Sequence, residues 1–366
     1  MTLSRREFLK LVGGAAGFAA LKPFQKVSPL PEFPTAANLG RIIEGKFPCL
    51  ASPNNLDSVI RDYYTDDIIT WNREVVGRRD TNLINQRWVE TDEGFVYASY
   101  VQPVKNEPNT ALENLPDGAN GFWAEVSVPY VDFVLENENP ASPWLKDTMA
   151  LNLPTRLYYS QVMWVDQIKR SDVTGNMIYR INEKYGSYGD LMWAEAAAFR
   201  PLSPEEIAPI HPEIDPDSKK VVVNATYQTL SCFEEDREVY FCKVSTGAKF
   251  DAFGNVVDKW ATPIGLGHRT WRKTISIHMA GGTASGSGYD TPGVSWATFF
   301  SGDGVAIHST FWHNDYGVPR SHGCVNTKPD DAKWIYRWST PVSDLISDDV
   351  TVGMPGGTKV DVIESI

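Results

Sequence analysis

Short runs of alternating apolar and polar residues dominate the chain from about residue 39 onward, and long amphipathic stretches are scarce. A period of two residues is typical of β-strands that bury one face. The runs lie at residues 40–43, 67–71, 85–91, 95–101, 177–181, 191–201, 220–226, 228–234 and 239–245. The turn residues Asp92-Glu93-Gly94 join the third and fourth runs into a predicted hairpin. The pattern therefore predicts a mainly β protein.

Two of these strand endings, residues 95–103 and 191–201, resemble each other in their aromatic and small residues and lie about 96 residues apart. They form a weak internal repeat. Both resemble the endings of the small Src-homology-type barrels of secreted bacterial wall proteins. That resemblance implies binding to wall glycan or substrate, whereas the alternative is a β-rich spacer that packs on the next domain, because a fold does not carry a function by itself.

Proline-rich stretches predict where the chain divides. Residues 28–38 and the acidic stretch 202–218 are punctuated by proline and are predicted linkers. They leave three predicted domains, namely a small β-barrel-like module at 39–105, a second β-rich module at 120–201, and a C-terminal domain at 219–366. A chain of 366 residues is long enough to give each of them a core.

The N-terminal residues 1–27 have the pattern of an export signal. Arg5 and Arg6 precede the apolar run 11–21, which is too short to span a bilayer, since spanning takes about 20 residues. Paired arginines before such a run are typical of the twin-arginine route. We therefore expect export to the cell envelope, outside the cytoplasmic membrane, with cleavage left open. The alternative is a basic N-terminus before a small helix.

Charge and cysteine content narrow the function classes. The formal net charge is −12, which argues against nucleic-acid binding, since that needs a basic surface. The four cysteines form no Cys-x-x-Cys pair. Cys232 and Cys242 flank a polar turn, which fits either a cross-strand disulfide or two small buried hydrophobic residues.

The strongest chemical pattern is the strand-like run that ends at His308 together with Ser321-His322-Gly323-Cys324, whose cysteine lies 16 residues after His308. A cysteine near a histidine can form a thiolate nucleophile with its own base. The Ser309 carbonyl is placed to fix the imidazole tautomer. Gly323 frees the backbone, so that the N–H groups of Gly323 and Cys324 are predicted to stabilise an oxyanion.

A helix is predicted to begin just after this cysteine. Thr327 is the predicted N-cap, Pro329 lies in the first turn, and acidic residues follow. The predicted buried side comprises Ala332, Ile335, Tyr336 and Trp338. A helix N-terminus carries positive partial charge, so it is expected to lower the pKa of the Cys324 thiol.

Other catalytic and metal-binding classes fit the sequence less well. A zinc site built from His308, His313, His322 and Cys324 has irregular spacing, and His-Glu-x-x-His is absent. A papain-type protease places its histidine after the cysteine, whereas here the last histidine is His322. The serine-hydrolase motif Gly-x-Ser-x-Gly and a phosphate-binding loop are also absent. His313 is predicted to be a surface loop residue.

Residues 219–366 resemble the catalytic domain of the L,D-transpeptidases, cysteine enzymes that cross-link peptidoglycan. The His308 to Ser-His-Gly-Cys324 motif carries the resemblance. It is supported by Ser245-Thr246-Gly247, by Thr262-Pro263-Ile264-Gly265 and by the closing stretch 356–360. The resemblance implies a mixed β-sandwich whose nucleophile lies on a loop between a strand and a helix, preceded here by small β-barrel-like modules. It implies no cofactor.

The resemblance also assigns roles to single residues. Cys324 would be the nucleophile, His308 its base and the Ser309 carbonyl the group that orients it. The substrate site would comprise Tyr289 as a flap tyrosine, Trp312 as a pocket wall, and His322 and Asn326 at the donor. Many members carry arginine where this chain has Asn326, so Arg320 is a candidate to hold the substrate carboxylate instead.

The implied reaction starts with attack of the thiolate on a tetrapeptide stem and loss of its terminal D-alanine. Attack on the thioester by a neighbouring stem amine would form a 3→3 cross-link. Attack by water would make the protein an L,D-carboxypeptidase, and attack by a lipoprotein lysine would make it an anchoring enzyme. A wall-binding protein with a retired site is the alternative from another class. The resemblance further implies acylation of Cys324 by carbapenems.

Overall fold

The computed structural model describes residues 26–43, 45–77, 85–137, 139–250, 255–257, 260–281 and 288–365. The predicted export signal lies almost wholly outside these residues, as does most of the Gly/Ser loop before Tyr289. In the described part the protein is mainly β, as the sequence predicts. No helix within these ranges is long and apolar enough to cross a membrane.

The first unit consists of two small sheets that share a core around Ile42, Val89 and Val96. Trp88 pairs with Tyr97 across an antiparallel hairpin, which confirms the predicted hairpin. Its elements are β1 Leu39–Ile42, β2 Lys46–Leu50, β3 Val59–Tyr64, β4 Ile68–Thr70, β5 Arg73–Val76, β6 Arg87–Glu90, β7 Phe95–Tyr97, a 3₁₀ turn Ala98–Tyr100 and β8 Val101–Val104.

The second unit is built on a seven-stranded sheet of order β11-β10-β14-β13-β12-β9-β15. One face of that sheet packs around Phe133, Leu157 and Tyr179. Its elements are β9 Phe122–Val126, β10 Tyr130–Leu135, helix α1 Pro143–Ala150, β11 Arg156–Tyr158, β12 Val162–Arg170, β13 Met177–Asn182, β14 Leu191–Glu195, a 3₁₀ turn Ala196–Ala198 and β15 Phe199–Pro201.

The weak sequence repeat corresponds to a repeated backbone path. In each unit a strand runs into a 3₁₀ turn, and the strand that follows returns to pair with the first strand of its unit, β8 with β1 and β15 with β9. Each turn begins on a fully buried alanine, Ala98 or Ala196. A small side chain is needed there because the tight turn lies against the core.

The third unit contains two five-stranded sheets, β18-β17-β16-β25-β19 and β23-β22-β21-β20-β24. The closing strand β25 runs parallel to β16 in the centre of the first sheet. The elements are β16 Lys219–Asn224, β17 Thr229–Glu234, β18 Arg237–Lys243, β19 Gly265–Arg269, β20 Arg272–Gly281, β21 Tyr289–Phe299, β22 Ala306–Ser309, β23 Val325–Thr327, helix α3 Pro329–Trp338, β24 Asp349–Thr351 and β25 Lys359–Ile363.

The stretches predicted as linkers are packed against the rest of the protein. Between the second and third units lie the short helix α2 Pro204–Ile207, which Ser203 and Glu206 cap reciprocally, and a 3₁₀ turn Pro216–Ser218. Ile207 is buried among residues of the second and third units. Phe33, in the earlier stretch, packs edge-on against Tyr130.

The predicted cap of helix α3 is wrong by one residue. Lys328 is the N-cap and makes no side-chain capping bond, whereas Thr327 is the last residue of β23. The Thr327 hydroxyl donates instead to the His308 carbonyl at 3.1 Å, a long-range bond that competes with capping. The predicted buried side, Ala332, Ile335, Tyr336 and Trp338, is confirmed.

Cys232 and Cys242 are free, buried thiols. They are not opposite each other in the ladder, because Cys232 pairs with Tyr240 and Cys242 pairs with Leu230. Both pack in the core of the first sheet of the third unit. Of the two interpretations that the sequence allows, the structure has the pair of small buried hydrophobic residues.

Candidate active site

His308 and the stretch that contains Cys324 lie on adjacent parallel strands. β22 and β23 pair with Ile307 opposite Val325 and His308 opposite Asn326. Ile307 and Val325 point into the core. Because side chains alternate along a strand, His308, Asn326 and the preceding Cys324 share the other face. All three line one cavity.

The His308 ring is buried and held in one tautomer. Its Nδ1 lies 2.8 Å from the Ser309 carbonyl oxygen, and since a carbonyl only accepts, Nδ1 carries the proton. Nε2 is thereby left as the basic nitrogen. Burial lowers the pKa of His308 to about 4, so the imidazole is neutral at pH 7. The predicted orienting contact of Ser309 is present.

The Cys324 thiol is also neutral at rest. Burial raises its pKa to about 11, opposed by a backbone hydrogen bond from Ala306. The prediction that a helix N-terminus lowers this pKa is wrong, because the extended strand β23 separates Cys324 from helix α3. The dipole effect fades beyond the first turn of a helix. His308 and Cys324 therefore rest as a neutral imidazole and a neutral thiol in one cavity.

This neutral pair predicts a particular pH profile for thiol alkylation. We expect the rate of Cys324 alkylation by iodoacetamide to rise continuously from pH 6 to above pH 9, since thiolate is scarce until the pH approaches the thiol pKa of about 11. A thiolate–imidazolium pair would instead react at a constant rate between about pH 5 and 8. Rates measured by intact-mass spectrometry, with Cys324→Ala as the blank, distinguish the two, and a plateau near neutral pH would contradict the neutral pair.

The turn that presents the cysteine is held by its own serine. Gly323 has a φ of 123°, which glycine adopts readily. The Ser321 hydroxyl accepts from the Gly323 N–H at 3.1 Å and donates to the Cys324 carbonyl. The Gly323 N–H is therefore engaged, and its predicted part in an oxyanion site is wrong for this geometry. The Cys324 N–H is the remaining member of the predicted pair.

The motifs that support the family resemblance clamp this turn from outside. The Gly247 N–H donates to the Thr262 hydroxyl, which donates in turn to the Gly323 carbonyl, both at 2.8 Å. The Thr246 carbonyl accepts from the Ser321 N–H at 3.1 Å. A Cβ on Gly247 would lie 1.9 Å from the Trp260 carbonyl oxygen, so glycine is required by close approach. The two motifs thus hold the turn that carries Cys324.

The cavity above Cys324 has a volume of about 310 Å³. It gathers seven of the nine residues that the sequence assigns to the site, while Ser309 and Gly323 act through their backbone behind it. Its described walls are Met279, Tyr289, Thr291, Val294, His308, Trp312, Arg320, Ser321, His322, Cys324 and Asn326.

Aromatic rings form the mouth of the cavity. The Tyr289 ring is 5.4 Å from the His322 ring, which in turn lies 4.4 Å from Trp260. Trp312 packs 5.9 Å from His308. Tyr289 lies at the start of β21 and remains 40% exposed. The predicted places of Tyr289, Trp312 and His322 therefore agree with one pocket.

His313 is not the surface loop residue that the sequence predicts. Its Nδ1 accepts from the Asp315 N–H at 3.2 Å, so its proton lies on Nε2, 2.9 Å from the Asn326 amide. The Asn326 Oδ1 would otherwise have no partner, so the consistent assignment is Nε2–H donating to Oδ1. Burial lowers the pKa of His313 to about 3. His313 thus orients the Asn326 amide from behind.

Arg320 lines the cavity while paired to a buried acid. Its Nε and one Nη lie 2.8 and 2.6 Å from Asp315 Oδ2. Arg320 is the only described residue of the cavity wall with a permanent charge. A permanent cation in the cavity that holds Cys324 can pair with an anionic group.

A buried Glu183–His278–Asp290 cluster, which the local sequence does not predict, includes the second residue of β21. His278 Nδ1 is 2.8 Å from Glu183, and Nε2 contacts Asp290, the neighbour of Tyr289. Although burial opposes protonation, the two carboxylates raise the pKa of His278. Asp290 also accepts from the Trp144 N–H of helix α1 at 2.7 Å. Glu183 lies 95 residues from His278, so local sequence gave no indication of the cluster.

The zinc hypothesis finds little support in this geometry. Within the described ranges no three His, Cys, Asp or Glu side chains are grouped as metal ligands. Both nitrogens of His313 are directed at protein groups, and His308 Nδ1 is directed at Ser309.

Comparison with known proteins supports the assignment of the third unit. The family model of the L,D-transpeptidase catalytic domain matches residues 218–362. No curated protein matches the chain. A cysteine-to-serine mutant of the Enterococcus faecium L,D-transpeptidase is 22% identical, with a TM-score of 0.29. The match covers 42% of this chain and 52% of that chain, so it spans about half of that protein.

Two mycobacterial structures are similarly distant. An L,D-transpeptidase from Mycobacterium smegmatis is 16% identical over 54% of this chain and 98% of that one, with a TM-score of 0.32. L,D-transpeptidase 3 from Mycobacterium tuberculosis is 16% identical over 50% of this chain and 78% of that one, with a TM-score of 0.31. On the family match, residues 218–362 of this chain belong to the L,D-transpeptidase catalytic domain family.

Proposed function

We propose that this protein is an exported cysteine L,D-transpeptidase that forms 3→3 cross-links between peptidoglycan stems through a thioester on Cys324. The observation that carries the proposal is a thiol and an oriented, unprotonated imidazole nitrogen in one cavity of a domain that belongs to this family. A cell-wall enzyme family works outside the cytoplasmic membrane, which agrees with export by the twin-arginine route.

In the acylation step His308 Nε2 takes the proton of the Cys324 thiol as the sulfur attacks the stem carbonyl. The Cys324 N–H and the Tyr289 hydroxyl are the candidate donors to the oxyanion. When the tetrahedral intermediate collapses, the carbon–nitrogen bond breaks and His308 returns the proton to the nitrogen of the departing D-alanine. The product is a thioester on Cys324.

In the second step an amine of a neighbouring stem attacks the thioester carbonyl. His308 removes a proton from that amine and returns it to the sulfur as the carbon–sulfur bond breaks. A new amide joins the two stems, and the thiol is restored. Trp312, His322, Asn326 and Arg320 are proposed to hold the donor stem, while the β-rich units are proposed to contact wall glycan.

The proposal is tested by incubating the purified protein with disaccharide-tetrapeptide and following the products by mass spectrometry, with Cys324→Ala as control. We expect a cross-linked dimer together with released D-alanine. Loss of D-alanine without a dimer would make the protein an L,D-carboxypeptidase, and dimer formation only with a lipoprotein peptide would make it an anchoring enzyme. No Cys324-dependent product would overturn the proposal and favour a wall-binding protein.

A further inference from the structure

The first β-rich unit is docked on the catalytic cavity through its 3₁₀ turn. Each residue of Ala98–Tyr100 meets the loop between His308 and Cys324. The Ala98 carbonyl accepts from the Asn314 amide at 3.1 Å, and the Ser99 carbonyl accepts from the Asn314 N–H at 3.2 Å. The Ser99 hydroxyl donates to Asp315 at 2.7 Å, and the Tyr100 phenol lies beside the Arg320 guanidinium.

This contact is buried and polar. Ser99, Asn314 and Asp315 are between 1% and 4% exposed. Buried polar groups are costly unless they are paired, and here the partners come from opposite sides of the interface. The same loop is held by Arg41, which donates to the Phe311 carbonyl at 2.8 Å, and by Arg87, which donates to the Asn314 carbonyl at 2.7 Å.

Asp315 divides its two oxygens between the docked unit and the cavity. Oδ1 accepts from Ser99, whereas Oδ2 accepts from Nε of Arg320 at 2.8 Å. A carboxylate fixed at one oxygen fixes the guanidinium bound at the other, because the planar fork of arginine allows few geometries. Arg320 is 40% exposed at the cavity, so without this support it would sample many rotamers.

We propose that the turn Ala98–Tyr100 is a built-in part of the substrate site, which holds Asp315 and thereby fixes Arg320 as the group that binds a carboxylate of the stem peptide. Ser99 and Asp315 are positioning residues. The choice of substrate rests on the proposed function, but the preference for a carboxylate near Cys324 does not.

Arg320 is suited to this role by charge as well as by position. The protein carries a formal net charge of −12, which opposes the approach of an anionic stem. Arg320 supplies the permanent positive charge among the described residues of the cavity wall. A preorganised cation there recovers affinity for a carboxylate, because little conformational entropy is lost on binding.

The first measurement uses two thiol reagents that differ in one carboxylate, iodoacetate and iodoacetamide. The quantity measured is the rate of Cys324 alkylation by iodoacetate divided by the rate with iodoacetamide. At low ionic strength we expect Arg320→Ala to lower this ratio about three- to fivefold, because one partly screened charge contact contributes that much. Ser99→Ala is expected to lower the ratio about twofold on the same argument, with the iodoacetamide rate unchanged. Ser99→Thr, which keeps the hydroxyl, is expected to restore the ratio.

The second measurement uses tetrapeptide stems with free or amidated carboxylates. We expect Ser99→Ala to raise KM for the free acid about three- to tenfold, with kcat and the amidated stem unaffected, in line with one weakened charged hydrogen bond. Adding Ser99→Ala to Arg320→Ala should cost nothing further, because both act through one group. Ser58→Ala, which removes a hydroxyl bonded only within its own turn of the same unit, is the matched control.

The outcomes separate the two proposals. If the wild-type protein shows no transfer activity but its alkylation ratio still depends on Arg320, the proposed function is overturned and this inference stands. A ratio that Ser99→Ala leaves unchanged, in a variant whose thermal unfolding matches that of Ser58→Ala, would overturn the role of the turn. A ratio that Arg320→Ala leaves unchanged would overturn the carboxylate site itself.

Discussion

Replacing Cys324 with alanine is expected to abolish acylation of the protein, both by tetrapeptide donor and by a carbapenem. The sulfur is the only atom of the site placed to form the thioester, so no partial reaction remains once it is removed. We expect turnover to fall by about 10⁴-fold or more, as when the nucleophile of a catalytic pair is lost. Intact-mass spectrometry after brief exposure to donor reports the acyl adduct directly.

The matched control for this variant is Cys242→Ala, which removes another thiol, one that lies in the core away from the cavity. That variant should acylate with full stoichiometry, although burying a smaller side chain lowers its stability. A His308→Ala variant should keep the thiol but acylate far more slowly, because the attacking sulfur then lacks its proton acceptor. An adduct that persists in Cys324→Ala would show that another residue is the nucleophile.

Replacing His278 with alanine is expected to lower the free energy of unfolding strongly. Glu183 and Asp290 would then be two buried carboxylates without their shared cation. Removing one partner of a buried ion pair typically costs about 3–5 kcal/mol, since the remaining charge is left unpaired. Because Asp290 adjoins Tyr289 in the cavity wall, we also expect weaker donor binding in whatever fraction remains folded.

The His278 contribution also has a defined pH dependence. Its pKa is raised in the folded state by the two facing carboxylates, with the Tyr188 ring packed against it. The stabilisation is therefore present in full below the unfolded pKa of about 6.5 and is lost as the pH rises through the folded pKa. The difference in unfolding free energy between wild type and His278→Ala should shrink as the pH increases.

Urea unfolding at several pH values measures this difference. His268→Ala is a suitable comparison, since His268 is half-buried and packs against the Phe300 ring without a carboxylate partner among its described contacts. We expect that variant to lose about 1 kcal/mol or less, as substitutions away from buried networks do. A His278→Ala difference that stays constant or grows with pH would contradict a protonated His278 between two carboxylates.

Much of the architecture follows from local patterns. The hairpin of Trp88 and Tyr97 and the buried side of helix α3 were predictable, because alternation and helical periodicity depend on near neighbours in sequence. The repeated strand–turn–strand path was visible for the same reason. That His308 and Cys324 meet in one cavity was predictable from the motif that contains both residues.

Most of the predictions that failed depend on contacts that only the fold brings together. Thr327 does not cap helix α3 because its hydroxyl is taken by the His308 carbonyl, 19 residues away. The Gly323 N–H is consumed by Ser321, whose position is set by the 245–247 segment across a bridge. His313 was assigned to the surface because its partner, the Asn326 amide, is brought to it only by the fold.

By itself, the sequence determined the β-rich composition of the fold, the residues that meet in the cavity around Cys324, and the family resemblance of the third unit. These properties depend on residue type and short spacing. Tertiary structure alone decided that the thiol and imidazole rest as a neutral pair, that His278 is trapped between two acids, and that the first unit supports Arg320. Burial and contacts between residues as far apart as Ser99 and Asp315 set those properties, and no local pattern encodes them.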